Sequence, residues 1–171
     1  VLDDILNRKT PATLALRDWG KSNRYAGSKD RSAIGNYVYD ALRCKNSLEF
    51  RMNNDKPRAL ILGSAVFIGE RTTEELFEAF ENNKHSPGQL TKDEILKLSG
   101  SIDLSGAPDW VRADIPEWIW PAFENNFPDS AIDEGNALTK RPPLDLRVNT
   151  LKSNVSDVIN ELKDKNIEKC A

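Results

Sequence analysis

Cysteine and histidine are almost missing from this chain. Two cysteines, Cys44 and Cys170, and one histidine, His85, are all it has in 171 residues. The cysteines stand far apart with no ligand spacing around them. That argues against a disulfide framework and against a zinc site, and no metal is expected. A reducing cytoplasm is the expected compartment. His85 lies alone in the turn "HSPGQ" and reads as a surface side chain rather than a metal ligand or acid–base group. Long apolar runs are also missing: none approaches the ~20 residues of a membrane-spanning helix. The opening "VLDDILNRKT" is too acidic for a secretory leader, and no repeat or low-complexity segment occurs. Glycine-rich phosphate loops are absent as well. Gly63 and Gly69 in "PRALILGSAVFIG" are followed by neither a Lys-Ser/Thr pair nor a GxGxxG spacing, so close helix packing is the better account of them.

What the chain does have is charge, unevenly placed. The net charge is -3. Residues 1 to 60 carry 12 Lys/Arg against 7 Asp/Glu, residues 61 to 139 carry 5 against 15, and residues 140 to 171 carry 7 against 5, so the balances are +5, -10 and +2. A basic front and a basic end could face a polyanion. Scatter over solvated helices would give the same numbers.

Most of the pattern is helical. "PATLALRDWGKS", residues 11 to 22, has Pro11 in its first turn and Leu14, Leu16 and Trp19 as apolar surface. Gly27 suits a helix end, and Ser28 a cap for a helix over about 29–47 with Ile34, Val38, Ala41 and Leu42 on one face. Residues 57 to 69 are apolar almost all round and read as the central buried helix, although so short a run could be a strand. "TTEELFEAFENN" offers Thr72 or Thr73 as cap and Leu76, Phe77 and Phe80 as its stripe; Thr91 and Glu94 make a capping box for the next helix. "SIDLSGAPDW" is a loop. Two short helices introduced by proline follow, the first presenting Trp118, Ile119 and Phe123. Trp110, Trp118 and Trp120 are expected in the core rather than stacked on bases.

Near the end the period changes. In "RPPLDLRVNTLK", residues 141 to 152, Leu144, Leu146 and Val148 alternate with Asp145, Arg147 and Asn149, which predicts a half-buried strand. "SNVSDVINELKDKNI" then predicts an amphipathic helix through Val155, Val158, Ile159 and Leu162. One strand and one helix cannot bury their own apolar faces or pair their edges. The expectation is therefore an N-terminal piece of a longer protein, with a second domain just begun.

The stretch "RPPLDLRVNTLK" resembles the R-A/P-P-L-x-L-R-V-N-x-L-K signature of the Sun (Fmu) family, bacterial ribosomal-RNA cytosine-C5 methyltransferases that use S-adenosylmethionine. "LRDWGKSNRYAGSKDRSAIGNYVYDALR", "HSPGQLTKDE" and "APDWVRADIPEWI" are similar to that family's N-terminal region, so the likeness runs over most of residues 11 to 165. It implies a mainly α chain. Residues 1–139 would be a helical bundle like the antitermination-factor RNA-binding fold, and residues 140–171 the first βα unit of a truncated α/β, RNA-recognition-like subdomain. The Rossmann-type catalytic domain would lie outside this chain, with the cofactor and two cysteines in Pro-Cys and Thr-Cys contexts. Cys44 in "LRCKN" and Cys170 in "IEKCA" match neither context, so no catalytic or cofactor residue carries over. No glycine-rich strand-to-helix turn is available for a nucleoside cofactor either.

The implied partner is ribosomal RNA, with no membrane, and a monomer is expected. Lys21, Arg24, Lys29 and Arg31 bracket the turn at Gly27 and could grip phosphates, with the second helix's N-terminal amides assisting. Tyr25 could stack on an unpaired base. The plainer alternative is a solvated turn that Asp30 and Arg31 help to pack or cap. Arg141, Arg147, Asn149 and Lys152 surround the predicted strand and could reach backbone or base edges, unless Arg147 pairs with Asp145 or an acidic helix. A free-standing helical adaptor that binds RNA or protein without chemistry remains the alternative to a targeting module.

Overall fold

The apolar stretch beginning at Pro57 folds as a helix, Pro57–Phe67, around which the first part of the molecule is built. The structure, a computed structural model, describes all residues except 70, 82–87, 101–102, 143, 166 and 168–171. His85 and Cys170 therefore lie outside the described residues. The chain divides into two units, Val1–Lys140 and Arg141–Ala171.

The described elements of the first unit are helices: α1 Leu2–Leu6, α2 Ala12–Ser22, α3 Ser28–Arg43, α4 Lys45–Met52, α5 Pro57–Phe67, α6 Thr73–Glu81, α7 Lys92–Ser99, α8 Asp109–Arg112, α9 Trp120–Asn126 and α10 Ala131–Thr139. Pro57 occupies the first turn of α5, where its missing N–H costs no intrahelical bond. The helix packs against α1, α3, α4 and α7. Leu60 is fully buried with Val38, Ala41, Leu48 and Leu2 on one side, and Ala59, Leu62 and Ala65 join Met52, Leu76, Leu90 and Leu98 on the other. Each buried leucine contributes about 1.5–3 kcal/mol. A Cβ at Gly63 would stand 3.1 Å from Leu48 Cδ2 and 3.1 Å from Met52 Cγ, so the glycine sits where α4 and α5 come closest.

Local caps end the helices much as their sequences predict. At α6, Thr72 Oγ1 accepts from the Glu75 amide at 3.1 Å and Glu75 Oε2 accepts from the Thr72 amide at 3.1 Å. At α7, Thr91 and Glu94 make the same reciprocal pair, at 3.1 and 2.8 Å. Glu94 also takes Arg58 Nε at 2.7 Å, tying α7 to α5, and this guanidinium bond holds its carboxyl below the usual range.

The helix expected over 29–47 is in fact two. It breaks at Cys44, where φ is -111° and ψ 29°. The break is capped from far along the chain. Asp114 Oδ1 accepts from the Ser47 amide at 2.8 Å and Oδ2 from the Ser47 hydroxyl at 2.6 Å, while Asn46 Nδ2 donates to the Ile115 carbonyl at 2.9 Å. The Asn46 and Ser47 amides are donors that an α-helix leaves unmatched in its first turn. Asp114 follows the four-residue α8 in the left-handed region, φ 52°. Burial pushes its carboxyl up, and the Ser47 donors pull it back. A Cβ at Gly135 of α10 would lie 2.5 Å from the Ala113 carbonyl oxygen, so α10 closes over the same corner. Cys44 sits beside it with its thiol pushed up to about 11, first by burial and then by the Asp114 charge.

Trp118 corrects an expectation. It is 82% exposed, because α9 begins only at Trp120 and the tryptophan lies in the turn before it. Trp110 and Trp120 are half-buried.

In the second unit, α11 Val155–Glu161 is capped by Asn154, whose Oδ1 accepts from the Asp157 amide at 2.9 Å, and a 3-10 turn Lys163–Lys165 follows. The predicted strand over 144–149 does not form, and no strand occurs among the described residues. A period-two run becomes a strand only when a second backbone pairs with it. Leu144 is 84% exposed, and no described residue of this unit is buried.

Two outcomes follow from these contacts. Asp114→Ala leaves two first-turn donors unmatched, at about 1–3 kcal/mol, and puts a Cβ without a polar side chain at positive φ, about 1 kcal/mol more. Urea unfolding should show a loss of about 2–4 kcal/mol. Asp114→Gly should lose less, and Asp114→Asn, which keeps an acceptor and sheds a half-buried charge, least. An alanine variant as stable as the parent would show that the cap is not needed. In hydrogen exchange, the amides of 144–149 should exchange well before those of α5; comparable protection would mean that this run is paired like a strand after all.

Candidate nucleic-acid interface

Basic residues of the first unit gather on the α2–α3 hairpin. α2 ends because Asn23 leaves helical geometry, and its Nδ2 donates back to the Trp19 carbonyl at 2.9 Å. The turn is closed by Ala26 N–H to the Asn23 carbonyl, 3.1 Å. Gly27, not Ser28, then caps α3, and its amide donates to Asp30 Oδ2 at 2.9 Å. The cap slips one residue earlier than expected because the Asp30 carboxylate reaches the free amide of Gly27.

Lys21 lies in the last turn of α2, exposed, with Asp18 3.9 Å away. Arg24 and Lys29 are exposed on the turn and on the first turn of α3, and neither has an ion-pair partner among the described residues. Tyr25 is 85% exposed, its hydroxyl donating to Asn23 Oδ1 at 3.0 Å. Its ring is held out from the turn rather than packed, an arrangement open to stacking. Arg31 differs from the others. Its Nε donates to the Ala26 carbonyl at 2.9 Å, and its guanidinium lies across Gly20, where a Cβ would be 3.4 Å from Nη1. Asp30 and Arg31 thus hold the hairpin together, as the plainer reading allowed, while Lys21, Arg24, Lys29 and Tyr25 present cations and a ring to solvent.

Arg141, Arg147, Asn149 and Lys152 fall in the second unit and are all exposed. Asn149 shapes the chain locally. Its Oδ1 accepts from the Leu151 amide at 3.1 Å and its carbonyl from the Lys152 amide at 2.9 Å, forming the turn after the extended run. The Asn149 backbone is therefore part of a turn rather than the middle of a strand.

Other residues were missed in the sequence. Arg17, Trp19 and Tyr39 line a groove of about 480 Å³ beside Lys21 and Arg31. The spacing carries the signal: 17 and 21 on one helix, and 31, 35 and 39 on the other, recur every fourth residue and share a face. Among the described residues no group of three or more His, Cys, Asp or Glu could hold a metal, and no helix is long and apolar enough to cross a membrane. Nor do they offer the strand and glycine-rich turn that a nucleoside cofactor rests on.

Residues 115–171 match the family model described as the ferredoxin-like domain of RsmF/B-like methyltransferases. No curated protein and no solved structure matches the chain. Over that stretch the chain is similar to RsmF/B-type RNA methyltransferases. The match starts at Ile115, so it takes in α9 and α10 as well as the second unit.

Arg31 should be separable from its neighbours by stability. Arg31→Ala removes a bond to a backbone carbonyl and the cover over Gly20, for about 0.5–1 kcal/mol. Lys21→Ala, Arg24→Ala and Lys29→Ala should each stay within about 0.5 kcal/mol of the parent. Thermal melting of the four variants checks the ordering, and equal melting points would remove the structural role given to Arg31.

Proposed function

We propose that this chain is the RNA-targeting part of an S-adenosylmethionine-dependent ribosomal-RNA (cytosine-C5) methyltransferase of the Sun (Fmu) type, and that it transfers no methyl group by itself. The match of residues 115–171 to the RsmF/B-like ferredoxin-like domain is the observation that carries this reading. In it, residues 1–139 are a helical RNA-binding domain related to the antitermination-factor fold. From residue 140 an α/β subdomain opens, whose run 144–149 becomes a strand when neighbouring strands pair with it. The exposed, alternating Leu144 and Leu146 support that role.

Lys21, Arg24 and Lys29 then bind phosphates, Arg31 keeps the hairpin in shape and adds charge, and Tyr25 stacks on an unpaired base. Arg141, Arg147, Asn149 and Lys152 form a second contact region on the α/β subdomain. S-adenosylmethionine and the catalytic cysteines belong to a Rossmann-type domain outside these residues. The Cys44 thiol, held protonated by burial, is unsuited to attack a pyrimidine ring. The reading takes the protein to be a cytoplasmic monomer whose partner is ribosomal RNA.

The triple variant Lys21→Ala, Arg24→Ala, Lys29→Ala tests it while leaving the packing of Arg31 intact. At low salt it should bind a ribosomal-RNA hairpin more weakly than the parent, with the salt slope reduced by about 0.7–0.9 for each phosphate no longer neutralised. Glu74→Gln with Glu78→Gln, on the exposed acidic face of α6, should not weaken binding. A triple variant with unchanged affinity and slope would end the RNA reading of this hairpin and favour a helical adaptor.

A further inference from the structure

The groove between α2 and α3 has a composition that phosphate contacts alone do not explain. Its volume, about 480 Å³, falls within the range of small-ligand sites. α2 contributes Arg17, Trp19 and Lys21; α3 contributes Arg31, Gly35 and Tyr39. Tyr39, at the edge of exposure and four residues on from Gly35, brings an aromatic ring to the groove face of α3, while Trp19 borders the groove half-buried. The cations stand at the rim. Asp18 lies 3.0 Å from Arg17 Nε and 3.9 Å from Lys21 Nζ and holds both at this edge. With Arg31 opposite, cations outnumber the single carboxylate.

Gly35 supplies an independent observation. A glycine in the middle of a sixteen-residue helix weakens it relative to alanine. Elsewhere in the hairpin the packing accounts for a glycine: Gly20 has the Arg31 guanidinium 3.4 Å from where a Cβ would be. At Gly35 nothing lies within 4 Å of that position. No contact inside the protein requires the missing side chain, and its absence leaves the groove wall open.

We propose that this groove receives one unstacked base of single-stranded RNA, with the flanking phosphates on Arg17, Lys21 and Arg31. The proposal rests on the RNA reading above and deepens it, since it gives the hairpin a preference for unpaired over duplex RNA. A base has a flat apolar face, which Tyr39 can stack, and a charged backbone on either side, which the rim can bind. It can enter only when it is out of the helical stack. The bare wall at Gly35 is where the base slides in.

Gly35→Leu fills the groove from a position with no protein neighbour to disturb, and it replaces glycine by a stronger helix former, so melting should not fall. On the full 171-residue chain, affinity should drop by about tenfold or more for a single-stranded RNA of about eight nucleotides. Affinity for the same strand annealed to its complement should not change. Tyr39→Leu is the second variant; it should weaken single-strand binding even if Gly35→Leu disturbs the fold. Single-strand affinity unchanged in a folded Gly35→Leu protein, or in Tyr39→Leu, overturns the groove. The broader RNA reading then still stands if the Lys21, Arg24, Lys29 triple variant has lost binding, and falls with the groove if it has not. Polyglutamate displacing the strand as effectively as unlabelled single-stranded RNA also overturns it, because the groove would then be reading charge rather than a base.

Discussion

A carboxylate at residue 114 decides where the third helix stops. The break at Cys44 falls where Cys44, Asn46 and Ser47 are weak helix formers, and Asp114 gives the new helix start its long-range acceptor. With it, the amides of Asn46 and Ser47 find an acceptor, α4 starts in a new direction, and Leu48 and Met52 turn toward α5. The carboxylate reaches them only because its own backbone adopts a left-handed conformation after a single turn of helix, and because Gly135 lets α10 press on Ala113. Chain segments separated by 67 residues are thereby joined through a handful of side-chain bonds.

The core follows from that corner. α5 is apolar almost all round and has α1, α3, α4 and α7 as neighbours, and Gly63 lets α4 approach it to side-chain contact. Arg58 extends the same helix outward, with its guanidinium shared between Glu94 and the carbonyl of Gln89 and lying 5.5 Å from the Phe80 ring centre. The hairpin of α2 and α3 is joined to this core through α3, whose Val38 and Ala41 are buried beneath Leu60. That arrangement leaves the other side of the hairpin, with its cations and rings, facing solvent.

What could be read in the sequence was what local chemistry decides. Thr72 with Glu75 and Thr91 with Glu94 are reciprocal caps three residues apart, and both form. Pro57 and the apolar run after it marked out α5 nearly whole. What could not be read was decided at a distance. The break at Cys44 depends on an acceptor far along the chain, α8 is too short to have a period, and Trp118 is exposed because its helix starts two residues later than its pattern suggested. The run 144–149 has the alternation of a strand, and no second strand lies beside it among the described residues. At the hairpin the cations were legible from composition, but the holding roles of Asp30 and Arg31 required the turn geometry. The groove needed the two faces seen together, although the fourfold spacing of 31, 35 and 39 was there to find.

Cys44, lodged at the α3–α4 break, shows what that corner does to reactivity. A thiol with a pKa of about 11 is thiolate in only about one molecule in ten thousand at neutral pH. Peroxide and electrophiles attack the thiolate, so oxidative damage has little to act on there. Burial in that corner, with the Asp114 charge adding to it, therefore keeps the sulfur largely unreactive.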